Sequence, residues 1–128
     1  MKRNVWPLFV LSALLLAACD GDDDDVIVGP EPVTPQVVEV SLLNERFTPE
    51  DLVVTVGTTV RWINDDDEDH TVTSGIDNSD PLAGQIFDAG LLAPGDIFEV
   101  DFTNLGDFDY FCRIHVDRGM VGLVSVVP

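Results

Sequence analysis

Residues 108–127 read FDYFCRIHVDRGMVGLVSVV and carry the strongest structural signal in the chain. Phe108–Cys112 and Val121–Val127 are rich in aromatic and β-branched residues, the composition typical of β-strands. The seven residues between Cys112 and Met120 separate these two runs. The stretch therefore predicts two strands with a loop between them, at one end of a β-structure.

Earlier runs in the chain also alternate with a period of two, and turn residues such as Gly57, Asn64 and Pro94-Gly95 separate them. The runs are Val38–Leu42, Leu52–Val56, Val60–Ile63 and Ile97–Phe102. No segment carries a convincing helical stripe. Seven or eight short strands with regular turns predict an all-β sandwich or Greek-key barrel.

The N-terminus has the features of an export signal. Lys2 and Arg3 precede an apolar run, Val5–Leu16, which is too short to span a bilayer comfortably. The following Leu16–Cys19 resembles the lipobox of bacterial and archaeal lipoproteins, which are cut before a Cys that carries diacylglycerol. We therefore expect residues 1–18 to be a signal peptide and Cys19 to be lipidated. The alternative is an ordinary secretory signal cut near Ala18. Either interpretation places the mature domain outside the cytoplasm.

Composition divides the remainder into two parts. Residues 19–36 are rich in Asp and Pro, which favours an extended tether between a lipid anchor and the domain. Residues 37–128 have the length of one ordinary domain. No second apolar stretch is long enough to cross a membrane, so the lipid at Cys19 is the expected membrane attachment.

The chain is strongly acidic, with 24 Asp and Glu against 6 Lys and Arg, and a net charge of −18. Removal of the signal peptide leaves four Arg and no Lys. Repulsion excludes nucleic acid as a partner and also excludes adsorption to an anionic membrane surface. Two interpretations stay open: halophilic adaptation to high salt, and steering toward a positively charged redox partner. The spread of 18 Asp along the chain favours the first.

Soft metal-ligand atoms are scarce after Cys19, where the chain has two His, one Cys and one Met. A lone thiol in an oxidising compartment needs protection, either by burial or by a metal. Two imidazoles, a thiolate and a thioether are the ligand set of a blue-copper site. Zinc is chemically compatible with the three stronger ligands. These candidate metal ligands are His70, Cys112, His115 and Met120.

The acidic run Asp65–Asp69 directly precedes His70. Its carboxylates raise the possibility of an EF-hand calcium site. In an EF-hand register from Asp65, the sixth position is His70 instead of Gly and the twelfth is Ile76 instead of Glu. The pattern fails, so we expect a solvated acidic loop. Its carboxylates should favour Cu(II) over Cu(I) and lower the reduction potential.

Several stretches together resemble the cupredoxins, most closely the plastocyanin, pseudoazurin and halocyanin group. They are Phe47-Thr48-Pro49, Val56–Asn64, His70–Thr73, Ala93–Gly95 and Gly106–Val121. The resemblance implies an eight-stranded Greek-key β-sandwich. It also implies one type 1 copper ion, with His70, Cys112 and His115 as equatorial ligands and Met120 as the long axial ligand.

Two departures from the family concern residues around the metal. Many relatives carry an Asn at the position of Thr71, and this Asn ties two loops together and bonds the cysteine sulfur. In this chain the hydrogen bond to the sulfur is left to the Thr71 hydroxyl, to the Thr71 backbone or to neither. Phe111 replaces the exposed Tyr that serves as a remote transfer point in plastocyanin, while Tyr110 should point into the core. We therefore expect electrons to pass through the His115 edge, ringed by Ile114 and Val116.

The resemblance implies an electron-transfer protein rather than an enzyme, because oxidase chemistry in this superfamily needs His-x-His pairs and further domains. The predicted function is a monomeric, membrane-tethered blue copper protein that shuttles single electrons between protein redox partners. The alternative is an extracytoplasmic copper-binding module for copper delivery or storage.

Overall fold

The computed structural model of the protein describes Gly29 and residues 34–128, which form nine β-strands and one 3-10 turn, Val116–Arg118. Within this part of the chain no helix is long and apolar enough to span a membrane. The predicted signal peptide, Cys19 and most of the tether lie outside the described residues. The strands are β1 (Val37–Leu43), β2 (Arg46–Thr48), β3 (Asp51–Thr55), β4 (Thr58–Asn64), β5 (His70–Ser74), β6 (Asp88–Leu92), β7 (Ile97–Phe102), β8 (Gly106–Phe111) and β9 (Val121–Val127).

The strands form two mixed sheets, with the orders β2-β1-β4-β7 and β3-β9-β8-β5-β6. The pairs β1–β4 and β3–β9 are parallel, and the remaining pairs are antiparallel. Apolar side chains from both sheets meet in one core, where the Trp62 ring of β4 lies 5.3 Å from the Tyr110 ring of β8. The all-β sandwich prediction is confirmed.

The period of two explains most of the strands. In β4, for example, Val60, Trp62 and Asn64 are buried while the residues between them are only partly buried. The structure has nine strands instead of eight because a short hairpin, closed by positive φ at Asn44 and Glu45, adds β2 to the edge of the first sheet. Strand β6 has no alternating pattern that would predict it, since only Leu92 among its residues is buried.

Strand β5 has no alternation, since all five of its residues are buried. It lies between β6 and β8, and the loop 75–87 folds back over its end: Ser74 N donates to Phe87 O and Gly84 N donates to Ser74 O. A register shift between Thr71 and Thr73 marks a bulge against β6. Bulges of this kind redirect side chains near functional sites, and this one lies beside His70.

Tyr110 is buried, as predicted, and is the only tyrosine in the chain. Burial raises the pKa of Tyr110 to about 12. Because an unfolded chain loses this proton near pH 10, we expect stability to be complete below pH 10. It should then fall by about 1.4 kcal/mol per pH unit until pH 12. The ultraviolet tyrosinate band should titrate near pH 12 in the native protein and near pH 10 in denaturant. A native midpoint near pH 10 would contradict this burial.

Candidate metal centre

The elements bring the predicted ligands to one end of the sandwich. His70 is the first residue of β5, Cys112 follows β8 and Met120 directly precedes β9. The loop between Cys112 and Met120 closes on itself. Cys112 N donates to Met120 O (3.0 Å), His115 N donates to Cys112 O (3.3 Å) and Met120 N donates to His115 O (3.3 Å). The backbone therefore holds Cys112, His115 and Met120 in a compact loop beside β5.

Three donor atoms converge in this loop. His70 Nδ1 lies 3.1 Å from His115 Nδ1, and Cys112 Sγ lies 3.8 Å and 3.6 Å from these two nitrogens. A point equidistant from all three atoms lies about 2.0 Å from each, close to the roughly 2.0–2.3 Å of metal–imidazole and metal–thiolate bonds. The trigonal His₂Cys set is the one that blue-copper sites use. The three side chains therefore fit a copper ion without rearrangement.

All four predicted ligands are buried, and Cys112 is the only cysteine among the described residues. Burial protects the thiol from oxidation and excludes bulk water from the donor atoms. Met120 is fully buried, and its backbone bonds to both Cys112 and His115. Its role as the axial ligand stays a prediction.

Thr71 fills the place of the missing Asn with two separate contacts. Its backbone N donates to Cys112 Sγ at 3.3 Å, and its hydroxyl accepts from Arg113 N at 2.8 Å. The backbone therefore bonds the sulfur, while the hydroxyl ties β5 to the ligand loop. Phe111, also singled out from the sequence, is fully buried and has the Arg113 guanidinium 5.7 Å above its ring. It offers no exposed surface to a partner.

The acidic loop contacts the centre directly, which the sequence did not predict. Asp66 Oδ2 lies 3.0 Å from His70 Nε2, on the side of the ring away from the other donors. The hydrogen bond with His70, supported by backbone amides of Asp67 and Asn44, lowers the pKa of Asp66 to about 2. The carboxylate is therefore anionic at neutral pH and accepts a hydrogen bond from the Nε2–H group of His70. This leaves Nδ1 of His70 with its lone pair toward the metal site.

Buried Asn64 shapes this loop. Its side-chain nitrogen donates to the carbonyls of Glu68 (2.8 Å) and Leu92 (2.9 Å), and its side-chain oxygen accepts from Asp66 N (3.0 Å). Asn64 therefore ties the acidic loop to Leu92 of β6, with three of its four side-chain hydrogen-bonding positions used. Asp65 and Asp66 are held further, because the Ser41 hydroxyl donates to the Asp65 carboxylate and the Asn44 backbone N donates to the Asp66 carboxylate.

Residues 37–127 match the family model described as copper binding proteins, plastocyanin/azurin family. The chain belongs to this family. Its members include plastocyanin and amicyanin, which are electron-transfer cupredoxins and not enzymes, and the family binds one type 1 copper ion. The geometry of His70, Cys112 and His115 agrees with that cofactor.

Individual relatives agree with the family assignment. The cupredoxin domain is 29% identical to plastocyanin of Scenedesmus fuscus over 62% of this chain and 85% of the relative. It is 32% identical to chloroplastic plastocyanin of Chlamydomonas reinhardtii, of which it spans only 58%. Amicyanin of Paracoccus versutus is 29% identical over 83% of this chain and 69% of that protein.

Solved structures show the same fold. The purple cupredoxin from Nitrosopumilus maritimus is 34% identical, with a TM-score of 0.62, and the match covers 70% of this chain and 99% of that one. A reduced amicyanin variant is 26% identical, with a TM-score of 0.59, over 71% of this chain and 82% of that one.

The outer edge of this cupredoxin site carries carboxylates as well as apolar side chains. His115 Nε2 lies 3.6 Å from Glu68 Oε2 and 3.9 Å from Glu45 Oε1. Ile114 is half exposed and Val116 is partly buried; their role as a transfer patch stays a prediction. Nothing in the sequence indicates the place of Glu45 beside His115, because Glu45 lies 70 positions earlier, in the β1–β2 turn.

Proposed function

We propose that this protein is a membrane-tethered electron carrier in which His70, Cys112 and His115 hold copper, with Met120 as the axial ligand. The convergence of two imidazole nitrogens and one thiol sulfur around a single point carries this proposal. Copper bound there supplies a one-electron couple between Cu(II) and Cu(I). The chain supplies the ligands, their orientation and the exclusion of water.

Rigid placement of the ligands supports electron transfer over storage. His70 begins β5, Cys112 follows β8, and His115 lies in the loop that backbone hydrogen bonds close between Cys112 and Met120. The Thr71 amide bonds the sulfur, and Asp66 holds the His70 ring. Side chains held from several directions move little when the charge at the site changes, so the reorganisation needed for electron transfer is small. A storage or delivery site needs ligands that open readily, whereas these are buried.

Copper loading separates the two functions. We expect Cu(II) to give the apo-protein an intense blue band that ascorbate bleaches and air or ferricyanide restores. We expect the loaded ion to resist a moderate chelator. Colourless copper that passes quickly to the chelator would instead indicate delivery or storage.

The electron path we propose runs through the edge of the His115 ring, whose side chain is only 9% exposed, beside Ile114 and Val116. Glu68 at this edge, 59% exposed, complements a protein redox partner that carries Lys or Arg around its own redox centre, whereas Glu45 is already paired with Arg118. We also propose that the domain acts as a monomer, because repulsion between copies of an acidic protein opposes association.

We propose that the acidic surface also serves hydration at high salt, as in a halophilic protein. Three of the four Arg in the domain pair with carboxylates: Arg61 with Glu39 and Glu99, Arg113 with Asp88, and Arg118 with Glu45. Most of the remaining carboxylates therefore carry uncompensated charge, and added salt should stabilise the fold by screening their repulsion.

We propose an extracytoplasmic location, with residues 1–18 removed, Cys19 lipidated, residues 19–36 as the tether and 37–128 as the domain. The export-signal pattern supports this proposal, and β1 begins at Val37, where the tether is expected to end. Two or more acyl chains on one residue anchor a protein stably.

Cys19→Ser tests the anchor in a host that processes lipoproteins. We expect this variant to lose incorporation of labelled fatty acid and to leave the membrane fraction. Cys112→Ser is the matched control and should stay membrane-bound, because it removes the other thiol. Membrane association that survives Cys19→Ser would refute the lipid anchor without touching the copper assignment.

A further inference from the structure

The residue that follows the cysteine ligand is held from three other segments of the chain. Arg113 N donates to the Thr71 hydroxyl at 2.8 Å, and Asn78 Nδ2 donates to Arg113 O at 3.0 Å. The Arg113 guanidinium donates to Asp88 Oδ2 at 3.1 Å. Both backbone polar groups of Arg113 and its side chain are therefore engaged.

A fully buried threonine connects two of these contacts. The Thr73 hydroxyl lies 3.2 Å from the Thr71 hydroxyl and 3.3 Å from Asp88 Oδ1. Because a carboxylate only accepts hydrogen bonds, the chain of hydroxyl groups ends at Asp88. Asp88 in turn binds the Arg113 side chain, so the contacts form a closed ring that begins and ends at Arg113. We refer to Thr71, Thr73, Asp88 and Arg113 as the Arg113 ring.

The loop 75–87 closes over this ion pair. A Cβ atom at Gly84 would lie 2.7 Å from Asp88 Oδ2 and 3.1 Å from the Arg113 guanidinium, and Gly84 has a φ of +76°. Only glycine fits both the backbone conformation and the space. The backbone therefore packs directly against the Asp88–Arg113 pair and limits its movement.

The Asp88–Arg113 ion pair contributes little to the stability of the fold, so its position near the metal site is its more informative property. The side chains of Arg113 and Asp88 are 38% and 33% exposed. Ion pairs with such exposure contribute about 0–1 kcal/mol to stability. Their position is more informative, because Thr71 uses its hydroxyl in the ring and its amide on Cys112 Sγ. A shift of the ring therefore shifts the hydrogen bond to the metal-binding sulfur.

We propose that Asp88, Thr73 and Arg113 are positioning residues of the copper centre. Through the Thr71 hydroxyl they hold the Thr71 amide against Cys112 Sγ. Hydrogen bonding around the cysteine sulfur tunes the potential of blue-copper sites. An amide donor withdraws charge from the thiolate, so it favours the reduced state. Loosening the ring should therefore lower the reduction potential and alter the thiolate-to-copper absorption.

Charge and position make opposite predictions for Asp88→Asn and the same prediction for Arg113→Gln, so the sign of the Asp88→Asn shift decides between them. If only charge mattered, Asp88→Asn would raise the potential and Arg113→Gln would lower it. If the ring acts by position, both variants lower the potential. High salt separates the effects further, because about 1 M salt shortens the screening length to about 3 Å and suppresses the charge effect of partly exposed groups.

The experiment measures reduction potential at 1 M salt and, in the copper-free full chain, hydrogen exchange of the Thr71 amide by NMR. We expect Asp88→Asn, Arg113→Gln and Thr73→Val each to lower the Cu(I)/Cu(II) ratio at fixed potential at least threefold, about 30 mV. The same variants should speed exchange of the Thr71 amide about tenfold. Thr73→Ser keeps the hydroxyl and should leave both quantities unchanged.

Glu99→Gln is the matched control, because it breaks the Arg61–Glu99 ion pair on β4 and β7, away from the ring. It should change neither readout. Opposite shifts for Asp88→Asn and Arg113→Gln would overturn the proposal, as would unchanged Thr71 exchange in Thr73→Val. The exchange readout needs no copper, so it tests the ring independently of the electron-carrier function.

Discussion

Replacing Cys112 with serine is expected to abolish the blue colour of the copper-loaded protein while leaving the fold intact. The colour comes from charge transfer between a thiolate and copper, and the described domain has no other thiol. Serine is nearly the same size, and its hydroxyl can accept the hydrogen bond that Thr71 N donates to the sulfur. The colour is therefore lost because the thiolate is absent, and not because the domain unfolds. Absorption spectroscopy and a copper titration measure this loss, and circular dichroism confirms that the β-structure persists.

Met120→Leu tests the axial ligand separately from the thiolate. Leucine fills a similar buried volume without the sulfur, so the colour should persist while the potential changes, as expected for loss of a weak axial ligand. A blue band that survives Cys112→Ser would disprove the thiolate assignment. An unchanged potential in Met120→Leu would remove Met120 from the ligand set and leave the other three in place.

Replacing Asp66 with asparagine is expected to raise the reduction potential. The Asp66 carboxylate is anionic and lies 3.0 Å from the ring nitrogen of His70 that points away from the site. Its charge favours Cu(II), and its hydrogen bond makes His70 a stronger donor. Asparagine keeps an acceptor oxygen but removes the charge. We expect the Cu(I)/Cu(II) ratio at fixed potential to rise about threefold to tenfold, or about 30–60 mV.

Asp67→Asn is the matched control for this prediction. It removes the same charge from the next residue of the loop, whose backbone N donates to Asp66 but whose carboxylate makes no contact with His70 among the hydrogen bonds of the described residues. Its effect should be smaller and should vanish at high salt. The Asp66→Asn shift should persist at high salt, since it arises from a direct contact. Equal shifts for both variants would mean that the loop acts only through its overall charge.

The sequence was sufficient for the ligand candidates because residue type limits metal chemistry so strongly. A domain whose described residues hold one thiol, two imidazoles and one thioether has few ways to bind a soft metal. The structure brings His70, Cys112 and His115 together, and their role as ligands stays a prediction. The role of Thr71 could not be settled in advance, because its amide and its hydroxyl contact residues 41 and 42 positions away.

The strands were predictable where one face is buried, because alternation then records which side faces the core. Strand β4 shows this pattern clearly. Strand β6 could not be found, since a mostly exposed edge strand carries no apolar period. Strand β5 has the opposite property, burial on both faces, and its composition of His, Thr, Val and Ser shows no period either.

The amino-acid sequence by itself determined the chemistry and the class of fold: the donor atoms, their order along the chain and the period-two pattern of a β-sandwich. Only the tertiary structure decided what surrounds the donors. Folding brings Asp66 into hydrogen-bond contact with His70 and places Glu45 and Glu68 beside His115. Folding also closes the Arg113 ring, which reaches the sulfur through the Thr71 amide. The physical reason is that ligand identity resides in single side chains, whereas electrostatics and hydrogen bonding at the site depend on distances between segments far apart in sequence.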